Sequence, residues 1–178
     1  MKTLISDDQL REGIGSLANQ IGKHYAGKPL TLVGVFTGSI VLLADLIRLL
    51  DIPLRVELLQ ARQNGKGTGK PGPLVIDPGL LVTDIRGRDV LLVDDIFDTG
   101  NTIWDLIPQL DELGPETIRV AVLLRKQGRC RVPRQPDFVG FDIPDAFVVG
   151  YGLDYNDRYR HLPCIAALEP QEMEESGG

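Results

Sequence analysis

Residues 90–102 read V-L-L-V-D-D-I-F-D-T-G-N-T: four apolar residues run into three aspartates, Asp94, Asp95 and Asp98, within five positions. Like charges at that spacing repel, so an unpaired cluster costs stability and asks for a ligand or cation that relieves it. The turn that follows, Thr99-Gly100-Asn101-Thr102, suits an anion. Gly100 lets a backbone approach closely. Successive N–H groups and a following helix N-terminus cradle phosphate, and Thr99 and Thr102 add hydroxyl donors. Asp94 and Asp95 cannot hold phosphate, but carboxylates accept from sugar hydroxyls. They also suit Mg2+, which takes oxygen ligands shared with substrate phosphates. A sugar phosphate accounts for both halves of the motif. The competing reading is plainer: solvated loop acids, with Thr102 capping the helix.

These residues need a strand before them and a helix after them, and the flanking pattern supplies both. Residues 90–93 read as a strand. Ile103, Leu106, Ile107, Leu110 and Leu113 form one helical face, closed by Gly114 and Pro115. Upstream, Ser6 with Gln9 is a capping box, and Leu10, Ile14, Leu17, Ala18 and Ile21 follow at helical spacing, predicting a helix over 7–24. Residues 30–36 are a buried strand, 37–39 a tight turn, 40–50 a helix stopped before Pro53, and 54–59 the next strand. Residues 61–73, A-R-Q-N-G-K-G-T-G-K-P-G-P, break all periodicity and read as a mobile loop; 74–82 reads as a short hairpin arm. Residues 118–124, 138–141, 147–149 and 164–168 are further strands. Alternating helices and continuous apolar strands predict an α/β fold, a mostly parallel sheet covered on both faces. Ligands of such sheets bind beyond the carboxyl ends of the strands, where residues 37–39 and 94–102 fall. No repeat and no separating linker interrupts the chain, so residues 1–178 are expected to form a single domain.

Bulk properties narrow the partners. The chain has 178 residues, 43% hydrophobic and 25% charged, as expected of a globular protein with one core. A formal net charge of -6 argues against nonspecific nucleic-acid binding, which needs a basic surface, but leaves room for a small anion in a locally positive pocket. Cys130 and Cys164 lie in no metal-ligand spacing, so a reduced, cytoplasmic protein is expected. The start, M-K-T-L-I-S-D-D, reaches acids too early for a signal peptide, and no apolar run approaches the roughly 20 residues that span a bilayer. Neither nucleic acid nor membrane is an expected partner. The P-loop pattern is absent, and Gly65, Gly67 and Gly69 make G-x-G-x-G, which is not the dinucleotide fingerprint. His24 and His161 have no partner spacing and read as surface residues. The acidic tail, 169–178, reads as frayed.

Residues 90–102 resemble the 5-phosphoribosyl 1-pyrophosphate (PRPP) motif of type I phosphoribosyltransferases. Residues 123–126, L-L-R-K, and 136–160, P-D-F-V-G-F-D-I-P-D-A-F-V-V-G-Y-G-L-D-Y-N-D-R-Y-R, closely resemble the hypoxanthine-guanine phosphoribosyltransferases, and residues 32–48 fit too. The resemblance covers about residues 3–168. It implies the type I fold, with a small hood from about 136–170 and the N-terminal segment, and a catalytic loop at about 61–73. It implies purine salvage: the phosphoribosyl group of PRPP passes to N9 of hypoxanthine or guanine, with xanthine a further option, giving IMP or GMP and pyrophosphate with Mg2+ as cofactor. By resemblance, Asp94 and Asp95 hold ribose hydroxyls, Asp98 is the general base near purine N7, and Thr99, Gly100, Asn101 and Thr102 cradle the 5′-phosphate. Lys126 reads O6, Phe147 stacks on the purine, the backbone of Val148 reads its edge, and Asp154 lies at the purine and joins Asp94 and Asp95 in holding Mg2+. Thr37, Gly38 and Arg160 meet pyrophosphate, with Arg131, Arg134 and Arg158 as alternatives to Arg160. A homodimer or homotetramer is implied.

General chemistry supports these roles. Loss of pyrophosphate leaves positive charge on the ribose, so cationic groups stabilise the leaving anion. A carboxylate near N7 can take its proton, and a lysine, carrying only donors, matches an oxo group. Lys126 as a solvated strand-end lysine and Phe147 as core are the bland alternatives. Two departures stand out. Where the family has Leu-Lys-Gly at the first strand's turn, with a cis peptide, this chain has Phe36-Thr37-Gly38; a cis bond is expected at Phe36–Thr37. The family's Ser-Tyr pair in the loop is missing, and Arg62, Lys66 and Lys70 are the candidate replacements. The second departure keeps open another reading: a catalytically weak nucleotide-binding or regulatory protein on the same fold. A phospho-receiver domain also carries V-L-L-V-D-D, but close to its N-terminus and without D-T-G-N-T.

Overall fold

Strands that are apolar on both faces need cover on both faces, and the sheet of this chain is arranged accordingly. A computed structural model describes residues 1–60, 62–63, 74–76, 85–169 and 171–172. Five strands, β2 (Leu30–Val35), β3 (Leu54–Leu59), β6 (Asp89–Phe97), β7 (Thr117–Lys126) and β8 (Phe138–Ile143), form an all-parallel sheet in the order β3-β2-β6-β7-β8. Alternate residues of each strand face opposite ways. Leu91 and Val93 of β6 join Leu30, Leu32, Ala121 and Leu123 in a core under α1 (Asp7–His24) and α2 (Ile40–Leu49). Val90 and Leu92 join Val33, Val120 and Val122 under a third helix, α3 (Asn101–Asp111), through its Ile103, Leu106 and Leu110.

Local signals set the element ends. Ser6 and Gln9 make the expected capping box on α1, each side chain accepting from the other residue's backbone N–H. Gly114 takes a φ of 75° just past α3, the left-handed stop expected there. A separate antiparallel sheet, β1-β10-β9, joins β1 (Lys2–Ile5), β10 (Ile165–Ala167) and β9 (Val148–Val149). It brings the N-terminal segment beside the C-terminal one. β8, however, lies in the parallel sheet, so residues 138–143 are not part of the hood.

The structure departs from the sequence reading at three points. The strand read as 90–93 continues as β6 to Phe97, so Asp94 and Asp95 are strand residues and not turn residues. β1 had no sequence signal of its own. β4 (Arg62–Gln63) pairs with β5 (Leu74–Val75), which the sequence had not suggested, and most of the arm expected at 74–82 lies outside the described residues. The glycine-rich loop, apart from the backbone of Arg62 and Gln63, lies outside the described residues, as do Lys66 and Lys70. Tyr151, Asn156, Asp157 and Tyr159 have positive φ, so the segment with a tyrosine every four residues is loop and not helix.

Two glycines of α1 make a matched test of packing. A Cβ on Gly13 would stand 2.0 Å from the Phe141 ring, whereas a Cβ on Gly15 would meet nothing within 4 Å. Gly13→Ala should destabilise by ~1–3 kcal/mol through overpacking. Gly15→Ala should stabilise by ~0.5–1 kcal/mol through helix propensity. Chemical denaturation midpoints of the two variants check both signs.

Candidate active site

The carboxyl end of β6 delivers its acids in sequence to different surroundings. Asp94 is still inside the sheet, in register with Val122 of β7 and 6% exposed. Its Oδ1 accepts from the Asp95 N–H at 3.0 Å. Burial, and then the charge of Asp95, push the Asp94 carboxyl well above the usual carboxylate range. Asp95 alternates to the other face and is half-buried. Burial raises its carboxyl too, against hydrogen bonds from Asp94 and the backbone and the Arg160 charge, which oppose the shift. The Asp95 carboxylate lies against the turn after β2: a Cβ on Gly38 would sit 1.6 Å from its Oδ2. A side chain at 38 would therefore have to displace the Asp95 carboxylate. In that turn the Phe36–Thr37 peptide is cis, as expected, Thr37 is exposed, and the buried Ser39 hydroxyl donates to the Val35 carbonyl at 2.6 Å.

Asp98 sits in the opposite environment. Its carboxylate accepts from Lys126 Nζ at 3.2 Å and Arg129 Nε at 2.9 Å. Burial raises its proton affinity, but the bonds and charges of Arg129 and Lys126 outweigh burial and hold the carboxyl below its ordinary value. Both cations also reach Asp145, each at 3.6 Å, closing a ring of alternating charges. Lys126, at the end of β7, has only 10% of its side chain exposed, which excludes a solvated strand-end lysine. Arg129 returns to it through the turn at Gly128, whose φ is 72°.

Asp95, Ile96, Asp98, Lys126, Phe147, Val148, Leu153 and Asp154 line one cavity of about 230 Å³. That is below the ~300–1,000 Å³ of drug-sized pockets and suits a single small ring system. Phe147 is 43% exposed, not core, and its ring meets Tyr155 edge-on at 5.3 Å. Val148 is held by strand pairing of β9 with β10, so its backbone position is set by the hood sheet. Asp154 is already partnered: Oδ1 pairs with Arg160 Nη2 at 2.8 Å, and Oδ2 accepts the Asp157 N–H at 2.9 Å. Arg160 also donates to the Gly152 carbonyl at 2.6 Å. Of its alternatives, Arg134 reaches Ile118 near the start of β7, away from the cavity, and Arg131 offers its backbone N–H to the Thr99 carbonyl.

The turn at 99–102 leads into α3. Gly100 is its N-cap with φ 86°, a left-handed conformation that favours glycine, and a Cβ there would meet Val132 and Phe97 at 2.4 and 2.7 Å. Thr102 stands inside α3, after the Gly100 N-cap, so it is not the helix cap; the Thr99 hydroxyl oxygen accepts from the Asn101 N–H at 3.5 Å. Thr99 and Thr102 are half-buried and Asn101 is exposed beside these amide groups. The structure thus gathers Asp95, Asp98, Lys126, Phe147, Val148 and Asp154 around one space, with Asp94 behind Asp95, Gly38 against Asp95 and Arg160 on Asp154. Sequence reasoning missed Arg129, Asp145, Ile96 and Leu153. A K-x-x-R spacing around a glycine at a strand end was the available signal for Arg129; Ile96 and Leu153 gave none beyond hydrophobicity.

Comparisons with known proteins bear on the family. The profile of the phosphoribosyl transferase domain matches residues 6–156. A hypoxanthine phosphoribosyltransferase of Salmonella typhimurium is 39% identical over 170 residues, covering 94% of this chain and 95% of that protein. A crystal structure of a hypoxanthine-guanine phosphoribosyltransferase from Bacillus anthracis superposes with a TM-score of 0.83 at 37% identity, over 94% of this chain and 96% of the other. The hypoxanthine phosphoribosyltransferase of Trypanosoma cruzi in complex with IMP superposes at 0.87 and 34% identity, over 100% and 95% of the two chains. Bifunctional TilS/HprT proteins, such as that of Listeria innocua at 36% identity, match 98% of this chain, which spans 27% of their length. The site and these full-length likenesses lead to one conclusion: the chain belongs to the phosphoribosyl transferase family, within its hypoxanthine-guanine phosphoribosyltransferases.

Proposed function

We propose that this chain transfers the 5-phosphoribosyl group of PRPP to N9 of hypoxanthine or guanine, and of xanthine where the pocket admits it, releasing pyrophosphate and IMP or GMP. The observation that carries this reading is the pairing of Asp98 with Lys126 across a small cavity edged by Phe147. It combines a carboxylate that can take a proton with a donor-only group that matches an oxo substituent and rejects an amino group. Phe147 offers a ring face to the base, and the Val148 backbone an edge. The α3 N-terminus with Thr99, Gly100, Asn101 and Thr102 would hold the 5′-phosphate, and Asp94 and Asp95 the ribose hydroxyls. Thr37, Gly38 and Arg160 would meet the pyrophosphate.

The pairing also suggests how the base group is switched on. Held by two cations, Asp98 is a weak base. When Lys126 turns to a purine oxo group, one of those charges is drawn away and the proton affinity of Asp98 rises as the N7 proton must leave. Arg129 would keep the carboxylate aimed while Lys126 moves.

Mg2+ fits the donor set. Two adjoining carboxyls whose charge the protein leaves largely uncompensated favour a cation, and Asp154 stands across the cavity as a third oxygen donor. Among the described residues no three potential ligands cluster, so Asp94 and Asp95 would hold the ion together with substrate oxygens, and Asp154 would join only through them. When bound, Mg2+ would neutralise charge on the departing pyrophosphate. No described helix is long and apolar enough to cross a membrane. A homodimer or homotetramer would cover Ile40, Ile47, Val56 and Leu58, which are exposed on α2 and β3.

Four bases, hypoxanthine, guanine, xanthine and adenine, incubated with PRPP and Mg2+ test the reading. Turnover of 6-oxopurines without turnover of adenine is expected; nucleotide binding with no turnover would point to a regulatory protein instead. Asp98→Asn should lower kcat by about 10²–10⁴-fold, the range of general-base catalysis, while PRPP still binds. Full activity in that variant would sink the assignment. Lys126→Ala should cut kcat/KM for hypoxanthine by roughly 10–100-fold, the scale of one charged hydrogen bond, and an unchanged base preference would remove its role. Burial and mutual repulsion raise the proton affinity of the Asp94–Asp95 pair, so protons compete with the cation and Mg2+–PRPP binding should weaken as pH falls, with proton release. Calorimetry in two buffers of different ionisation enthalpy reads that release.

A further inference from the structure

The loop of residues 150–162 carries Asp154 and Arg160, and it is tightly closed on itself. Gly150 and Leu153 exchange backbone hydrogen bonds at 3.0 Å, Tyr151 N–H donates to the Leu162 carbonyl at 2.8 Å, and Gly152 N–H to the Arg160 carbonyl at 3.1 Å. These bonds tie the loop into one unit, whose placement depends on what holds it from outside. Two contacts stand out. Gly152, with φ 99°, packs so closely on the turn after β2 that a Cβ there would lie 2.4 Å from the Gly38 carbonyl oxygen and 3.3 Å from Val41. Beside it, the Tyr151 hydroxyl donates to Asp45 of α2 at 2.5 Å, a bond joining residues 106 positions apart.

We infer that Tyr151 and Asp45 are positioning residues for the pyrophosphate half of the site: their hydrogen bond pins the loop to α2, so that Arg160 and Asp154 stand beside the turn at residues 37–39. The inference rests on the proposed activity and adds to it residues that touch no substrate. Tyr151 is 9% exposed and has φ 50°, an uncommon backbone state for a bulky residue, which turns its side chain down onto α2. Burial, and then the Asp45 carboxylate, raise its phenol well above the ordinary tyrosine value, so it remains a donor across the working pH range. The other charged group at Asp45 is Arg48 on the same helix, at 3.4 Å. α2 begins directly after the turn that holds Thr37, Gly38 and Ser39. One helix therefore fixes both walls of the pyrophosphate space: the turn at its N-terminus and the loop through Asp45. The purine side has anchors of its own in Lys126 on β7 and Val148 on β9, and the loop reaches that cavity only through Leu153 and Asp154.

Steady-state kinetics with PRPP and hypoxanthine, together with calorimetry of Mg2+–PRPP binding, separate the outcomes. Tyr151→Phe should raise KM for PRPP by about tenfold, the scale of one charged hydrogen bond, and weaken PRPP binding to match, while KM for hypoxanthine changes by less than about twofold. Asp45→Ala should do the same, the double variant should be no worse than either single one, and Asp45→Asn, which keeps an acceptor oxygen, should recover most of the loss. Equal changes for both substrates, or none for PRPP, would overturn the inference. Should Tyr151→Phe fail to fold, the Asp45 pair carries the comparison. A wild-type chain that binds PRPP without turnover would refute the activity and leave the calorimetric arm decisive for the positioning role.

Discussion

Asp94 leaves β6 while still surrounded by strands that offer its carboxylate no water, and Asp95 follows with its oxygen against the backbone of Gly38. A buried charge of this kind is expensive, and two adjoining ones repel as well. The rest of the site is organised around that cost. The turn after β2 must come close, so residue 38 has no side chain. The turn carries its own hydroxyl, Ser39, back to the β2 carbonyl, leaving the carboxylates to a ligand. A parallel sheet is the scaffold that allows this, because all five strand ends point the same way and the acids of β6 project between the turns after β2 and β7.

Four residues along, the same side-chain chemistry is pushed in the other direction. Asp98 is past the strand end, and Lys126 and Arg129 hold it ionised. Environments that separate the proton affinities of like groups are how one site runs several tasks at one pH. Here the raised pair, Asp94 and Asp95, can give up protons when a cation or sugar arrives. The depressed one, Asp98, gains basicity only when its cations are drawn away. The crowding of carboxylates at the end of β6 is therefore a division of labour imposed by depth in the sheet: inside it, at its rim, and beyond it.

How much of this could be read in the sequence depends on the range of the interaction that decides each feature. The helix over 7–24, the turn at 37–39 and the glycine stop at 114 follow from local signals and stand where expected. The extent of β6 did not follow, because two aspartates read as the end of a strand by propensity, whereas pairing with β7 as far as Phe97 carries the strand through them. β1 escaped because Lys2 to Ile5 is a strand only through pairing with β10, which lies at the far end of the chain. Asp98, Lys126 and Phe147 were legible as candidates, but not the ion pairs that join them to Arg129 and Asp145. Those depend on how the turn at Gly128 folds back.

An acidic chain that is to bind a polyanionic sugar, as proposed, needs local positive potential, and the fold offers it without reversing the net charge of -6. Backbone amides at the start of α3 supply partial charge at no formal cost, while Arg160 and Lys126 are each already paired with a carboxylate, Asp154 and Asp98. Pairing keeps these cations oriented and mostly neutralised when nothing is bound. A ligand then competes for donors already in place, and each carboxylate it frees becomes an acceptor for another part of the reaction. The acids that look like an obstacle to anion binding are what keep its cations ready.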